Sequence, residues 1–482
     1  MTADYVAFHA AERPDAVALV DRGREISYAQ FHRDLCSAAH AVNEFGLARG
    51  SSAAIAWGEL YPHWLLLLAC EWLGVATATF VANEGDASAG LLESVDVVLS
   101  ETRPSSVPAE RHRAATSGWL AEVLARGDVP MPAGAPKSPS DPFRILRTSG
   151  TTGVPKRILL RRHMFEAFVE RWAWVLGITR ESKSLVNTPF SANGSYTLST
   201  AVIRAGGTVL CPGFGIGTAA ALSGPARETT HIRIAPLELK LVLDELPRNF
   251  IKPKDLLVCT VGAPLPAVLR EQTLARLASE VLVSYACNEM PFVAVLRDSG
   301  SEGVGTVVPW VEAEVVNDRD LPVPSGTAGM LRIRDPAMAE GYLDDPETTA
   351  RKFRKGWFYP GDIAVSEGPR RLRVVGREDE ILNVGGLKIA ASRLEAWVLR
   401  HATVGDIGVC TLAGPGGVDE ICVAVADPAH DDVELLARVT EAFRRNYVGR
   451  FHIVKLARIP RNANGKIERH RLKEAMAHNL GR

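Results

Sequence analysis

Between residues 26 and 46, the run ISYAQFHRDLCSAAHAVNEFG places Phe31, Leu35, Val42 and Phe45 at helical spacing. Ser27 is placed to cap that helix and Gly46 to stop it. Downstream, short β-branched runs alternate with helical stretches: VATATFV, VDVVL, GTVLC, IRIA, LLVCT and VLVSY. This alternation predicts an α/β fold with mostly parallel sheets and packing helices. From about residue 311 the strands VEAEVV, MLRIR and RLRVV alternate apolar with polar positions and are joined by turns such as DRDLPVPSG, which predicts a small antiparallel β unit. Residues 380–482 read as a separate α+β block, in which IGVCTL and EICVAVA form a sheet and the amphipathic stretch DVELLARVTEAFRRN (432–446) packs on it.

One stretch imitates a membrane span. Residues 64–82 (WLLLLACEWLGVATATFVA) are nearly all apolar, but Glu71 sits mid-segment and Gly74 separates a helix-like half from a β-branched half, so a buried helix followed by a buried strand is expected. The N-terminal MTADYVAFHAAERPD has no basic region followed by a long apolar one, and no secretory signal is expected. Lys plus Arg (55) against Asp plus Glu (56) leaves a net charge of -1, which provides no global field for nucleic acid or anionic membrane. The seven cysteines are scattered with no C-x-x-C, which disfavours a zinc site or a disulfide framework and points to the reducing cytoplasm.

Chemistry enters at TSGTTGVPK (148–156), which sets four hydroxyls, two glycines and a lysine between the apolar runs FRIL and ILL. Glycines let backbone N–H groups close on oxyanions, Ser and Thr add rotatable donors, and Lys156 adds a compact positive charge, a combination suited to polyphosphate. It is not a Walker A loop: Pro155 replaces the second glycine, and Arg157 replaces the Ser/Thr that would hold magnesium. A second glycine cluster, GFGIG (213–217), lacks the sixth-position glycine of a dinucleotide fingerprint and reads as a surface loop.

Five further stretches follow in order: VGAPLP (261–266), SYACNE (284–289), GWFYPGD (356–362), GREDEILNVGGLKI (376–389) and PRNANGKIER (460–469). With TSGTTGVPK they resemble, collinearly over nearly the whole chain, the acyl-adenylate-forming superfamily of acyl-CoA synthetases, peptide-synthetase adenylation domains and luciferases. The resemblance is closest in type to stand-alone AMP-dependent acyl-CoA synthetases.

That resemblance implies an ATP- and acid-binding domain over 1–378 and a mobile C-terminal domain over 379–482. It assigns the ATP phosphates to Thr148, Ser149, Gly150, Thr151, Thr152, Gly153 and Lys156. Gly262, Ala263 and Pro264 would line one face of adenine, with Tyr285 stacked on the other. Asp362 would accept the ribose hydroxyls, and Arg377 would contact ribose and phosphate. Glu289 would hold magnesium, with Asn288 beside it. Lys466 would carry the first chemical step, stabilising charge as a carboxylate meets the α-phosphate. Asp379 falls at the hinge, and Gly385 and Gly386 would line a channel for the pantetheine arm of CoA or a carrier protein. Ser191, Ala192, Asn193, Gly194, Val261 and Cys287 would form the acid pocket.

The chain departs from the pattern at several of these places. Ala286 replaces a usual glycine, Asn288 a usual threonine, Met330 stands where an acid is common and Ala391 where a proline is common. In PFSANG (189–194) the position often held by an aromatic residue or His is Ala192, and no aspartate is present to bind an α-ammonium. The expected activity is an AMP-forming ligase making a thioester on CoA or a carrier protein from a small carboxylic acid. Alternatives are transfer to an amine, activation of a different acid, or luciferase-like oxidation, for which no residue marks oxygen chemistry.

Overall fold

The computed structural model describes residues 1–81, 88–148, 156–297, 303–384, 387–402, 404–414, 419–427, 432–444, 450–461, 465 and 467–481. Among them two large sheets share one core. A six-stranded sheet runs in the order His112–Ala114, Val97–Ser100, Ser52–Ile55, Ala76–Thr79, Pro142–Thr148, Lys156–Arg161. Its last pair is antiparallel and the rest are parallel. The 15-stranded sheet has a parallel centre formed by Thr208–Cys211, Lys183–Leu185, His231–Ile234, Leu257–Val261 and Glu280–Tyr285.

The antiparallel strands expected after residue 311 are present as Glu312–Val316, Ala328–Arg334 and Arg371–Arg377. They do not stand apart. Ala294–Leu296 pairs with Glu280–Tyr285, and Val304–Val307 pairs with Ala294–Leu296 on one side and Arg371–Arg377 on the other, so parallel and antiparallel halves make one continuous surface.

Helices Tyr28–Glu44, Leu60–Trp72, Arg162–Leu176 and Asn193–Arg204 contribute to a single apolar cluster that takes in strand residues of both sheets, from Ile55 and Leu146 to Cys259 and Leu282. Ser27 caps the first of them, its hydroxyl accepting from the Gln30 N–H, and Gly46 follows with φ 68°. The membrane-like stretch becomes the helix Leu60–Trp72 and the strand Ala76–Thr79, with Leu65 to Cys70 at most 1% exposed. A helix apolar all round is explained by burial on every side. Glu71 is buried there with the Tyr196 hydroxyl donating at 2.6 Å, and burial pushes its carboxyl up to about 7. No helix of the described residues is long and apolar enough to cross a membrane.

From Leu382 onward the chain builds its own clusters. The strands Asp406–Ala413, Asp419–Ala426 and Phe451–Lys455 form a three-stranded sheet. Helices Ala391–His401 and Asp432–Arg444 pack with one cluster, and Arg469–Asn479 with another. The single turn Glu378–Glu380 joins this block to the strand Arg371–Arg377 of the large sheet.

Candidate active site

Parallel strands end together, and their C-terminal ends gather the side chains they carry. Leu257–Val261 and Glu280–Tyr285 are adjacent and in register, Val261 opposite Ser284. Past the first, Gly262 has φ 93°, a left-handed turn that any other residue would adopt under strain, and Gly262, Ala263 and Pro264 are exposed. At the end of the second, the Tyr285 hydroxyl donates to Asp362 Oδ2. Asp362 sits opposite Arg377 across an antiparallel pair, and Arg377 reaches its Oδ1 at 3.4 Å. Burial, then the Asp362 charge, holds the Tyr285 phenol well above its usual range, so it stays a donor. Three residues separated by up to 92 positions in the chain thus meet at one point.

Beside them, Glu289 is only 7% exposed and accepts from the Tyr342 hydroxyl at 2.8 Å. The Lys156 ammonium lies 5.0 Å from the Tyr342 ring centre and 3.4 Å from Thr348 Oγ1. Tyr342 therefore stands between the lysine at the end of the glycine-rich segment and the buried carboxylate. Thr148 and Lys156 face each other across the antiparallel pair Pro142–Thr148 and Lys156–Arg161, which fixes both ends of that segment. Ser149, Gly150, Thr151, Thr152 and Gly153 lie outside the described residues. Asn288 donates from Nδ2 to the Arg147 carbonyl at 2.9 Å, tying the Glu289 loop to the strand that leads into the segment.

Cys287 donates to the Met290 carbonyl at 3.5 Å, and burial pushes its thiol well up, so it is a neutral wall rather than a nucleophile. Among the described residues there is no cluster of three or more His, Cys, Asp and Glu side chains able to hold a metal. A single buried carboxylate next to a phosphate-type segment instead fits magnesium, which keeps few protein ligands and takes the remainder from phosphates and water.

The segment expected to form the acid pocket begins the helix Asn193–Arg204, with Ala192 as its first flanking residue and no side-chain cap. Ser191, Ala192 and Gly194 are partly exposed, whereas Asn193 is 8% exposed and its Oδ1 has no partner. A Cβ on Gly194 would lie 2.8 Å from Arg233 Cδ, so the glycine makes room for that arginine. Val261 is partly buried at the end of the neighbouring strand.

In the C-terminal block, Asp379 lies within the turn Glu378–Glu380. Gly385 and Gly386 join the paired strands Ile381–Val384 and Leu387–Ala390 and lie outside the described residues, as does Lys466. The residues flanking Lys466 are held firmly. Gly465 has φ 75°, its carbonyl accepts from Arg461 at 2.6 Å, and Arg461 pairs with Asp406 at 2.6 Å. A Cβ on Gly465 would meet Leu237 at 4.0 Å, which places this turn against the helix Pro236–Glu245 just beyond the strand that carries Arg233.

No sequence motif marks Tyr342, Thr348 or Arg233: Tyr342 and Thr348 lie in a stretch without periodicity, and Arg233 sits inside the strand-like run IRIA.

The profile of the AMP-binding enzyme family matches residues 6–343. The medium-chain fatty-acid–CoA ligase of Escherichia coli (strain K12) is 24% identical, over 99% of this chain and 91% of that protein. The probable non-canonical nonribosomal peptide synthetase CymA of Salinispora arenicola is 26% identical over 96% of this chain, which spans 6% of CymA. The anthranilate CoA ligase AuaEII in complex with anthranoyl-AMP shares the fold with a TM-score of 0.88 at 18% identity, covering 100% of this chain and 98% of that one.

Proposed function

We propose, for a chain that belongs to the AMP-binding enzyme family and is an ATP-dependent adenylate-forming ligase, that it activates a carboxylic acid without a free α-amino group and passes the acyl group to a pantetheine thiol. The observation that carries this reading is the convergence of Tyr285, Asp362 and Arg377 beside the Lys156–Tyr342–Glu289 row. The first set suits a nucleoside, with an aromatic face, a carboxylate for vicinal hydroxyls and a planar cation. The second suits a triphosphate with its magnesium, which would neutralise phosphate charge from Glu289.

In the first step an oxygen of the acid attacks the α-phosphorus, and the bond to the bridging oxygen breaks to release pyrophosphate. Two anions must touch for this, and the ammonium of Lys466 is suited to lower that barrier. The position of Gly465, where a Cβ would come within 4.0 Å of Leu237, supports such a pose, since Leu237 lies at the start of the helix that follows the strand of Arg233. In the second step the thiol sulfur attacks the acyl carbon, AMP leaves and the thiol proton goes to solvent. The similar Escherichia coli and AuaEII proteins are both CoA ligases, which supports CoA as acceptor.

The domain boundary at 379 assigns the exchange of these poses to the Glu378–Glu380 turn, which lies between clusters that share no residue. Proline fixes φ and removes a backbone donor. Asp379→Pro is therefore expected to keep adenylation, measured by ATP/pyrophosphate exchange, and to lose thioester formation. A folded variant with an unchanged overall rate would remove Asp379 from the hinge.

Acid selectivity follows from the pocket's charge. An ammonium entering a desolvated site without a carboxylate partner costs several kcal/mol by order of magnitude. Ser191, Asn193 and Ser195 offer neutral acceptors only, so in matched pairs of an acid and its α-amino derivative the plain acid should have the higher kcat/KM in exchange. A consistent preference for the amino acid contradicts the pocket assignment. The whole reading is tested by supplying ATP, magnesium and a mixed acid pool, then CoA, a phosphopantetheinylated carrier and an amine one at a time. Pyrophosphate release followed by thioester with CoA or carrier is the expected result, and amide formation alone would replace the thiol by an amine.

A further inference from the structure

Arg233 is the middle residue of Arg233's own alternating triplet: Ile232 and Ile234 point to the outer apolar cluster of the large sheet, which leaves Arg233 on the inner face. There it is in register with Cys259 and Leu282, two residues of the main core. It is a cation set where its neighbours are apolar, on the same face as Val261 and one strand over. Its side chain lies against the start of the helix Asn193–Arg204, where a Cβ at 194 would come within 2.8 Å of its Cδ.

What holds this guanidinium is slight. Its described hydrogen bond is from an Nη to Thr188 Oγ1 at 3.4 Å, and its Nε is buried without a partner. Glu238, the acid whose charge reaches it, is already engaged by Asn187 at 2.8 Å and Thr218 at 2.9 Å, and forms no ion pair with Arg233 among the described residues. Burial draws the guanidinium below its usual range, which marks a charge short of compensation. The helix end it touches is uncapped and carries the positive pole of the helix. Two positive groups placed together repel unless an anion lies between them. Asn193, 92% buried by its 8% exposure, adds an amide whose orphan end, turned by half a rotation, donates. Arg233 is partly exposed, as are Ser191, Ala192 and Gly194, so the group is reachable from solvent.

We infer that Arg233 is a specificity residue which binds a second carboxylate, at the end of the acid remote from the one that is adenylated, so that the substrate is a dicarboxylic acid. This rests on the carboxylate-activating reading above and deepens it. The planar fork of Arg233 matches a carboxylate with two parallel hydrogen bonds, which a methyl or ring hydrogen cannot form.

The test compares ATP/pyrophosphate exchange for succinate with butyrate, adipate with hexanoate and phthalate with benzoate, in wild type, Arg233→Met and Arg233→Lys. In at least one pair the diacid should be favoured by wild type, and Arg233→Met should lower its kcat/KM by roughly tenfold to a hundredfold through KM, as loss of a charged hydrogen-bond pair does. The monoacid should be unchanged or improved, and Arg233→Lys should restore part of the preference. A wild type that favours the monoacid in every pair overturns the inference and leaves the ligase reading intact. Equal loss for both members in Arg233→Met also overturns it, as a packing effect would produce. If no acid supports exchange, the ligase reading fails, and calorimetric titration of the diacids decides the inference: binding weakened by Arg233→Met upholds it, and binding that is absent or unchanged overturns it.

Discussion

Lys466→Ala is expected to lower adenylation by roughly 10² to 10³-fold, the usual cost of removing one preorganised charge at a developing oxyanion, while thioester formation from supplied acyl-AMP falls far less. The division follows from the two poses assigned to the C-terminal block. Gly465, one residue before Lys466, is held by the Arg461–Asp406 pair and lies against Leu237 of the large domain. Gly465, anchored within its own block, would move with that block and so carry the neighbouring ammonium in and remove it. Half-reaction assays separate the steps, and an equal loss in both would contradict the two-pose assignment. Leu237→Asp offers a second arm: a charge at that contact should weaken adenylation and spare transfer.

Glu289→Gln is expected to be nearly as damaging, lowering adenylation by on the order of 10²-fold with a raised magnesium requirement, since a hard cation binds carboxylate oxygen far better than amide. The side chain is buried and held by the Tyr342 hydroxyl, so the variant keeps a polar group of the same shape and leaves the fold undisturbed. Tyr342→Phe removes one hydrogen bond and should cost about tenfold or less. It also tests whether the row from Lys156 to Glu289 acts as a unit, because the ring that Lys156 faces remains. Magnesium titrations of pyrophosphate release read both variants. A Glu289→Gln enzyme with unchanged magnesium dependence would take the metal away from this residue.

Much of this was legible beforehand because apolar periodicity and short motifs are local signals. The helix Tyr28–Glu44 with its Ser27 cap, the buried helix and strand within 60–79, and the strands ending at Val261 and Tyr285 all lie where their patterns put them. GFGIG falls between the strand Thr208–Cys211 and the helix Thr218–Ser223 as a partly to fully exposed connection, in keeping with a surface loop. What local signals miss is pairing at long range. The antiparallel strands after 311 looked self-contained, yet the short strands Ala294–Leu296 and Val304–Val307 join them to the parallel centre. Tyr342 meets Glu289 from 53 residues away, and Arg233 faces Gly194 from another element. Its isolated charge between Ile232 and Ile234 was a usable hint, since alternation there would place a cation on an inner face.

The central claim is that this chain joins an acid to a thiol through an acyl-adenylate, and the fate of the carboxylate oxygen tests it most directly. The acid that best supports pyrophosphate exchange is prepared with both carboxylate oxygens as the heavy isotope and incubated with ATP, magnesium and CoA, and the products are weighed by mass spectrometry. Attack on the α-phosphorus followed by thiolysis predicts AMP carrying one heavy oxygen, unlabelled pyrophosphate, and an acyl thioester that keeps the other. Unlabelled AMP, or ADP with labelled phosphate, would contradict the account.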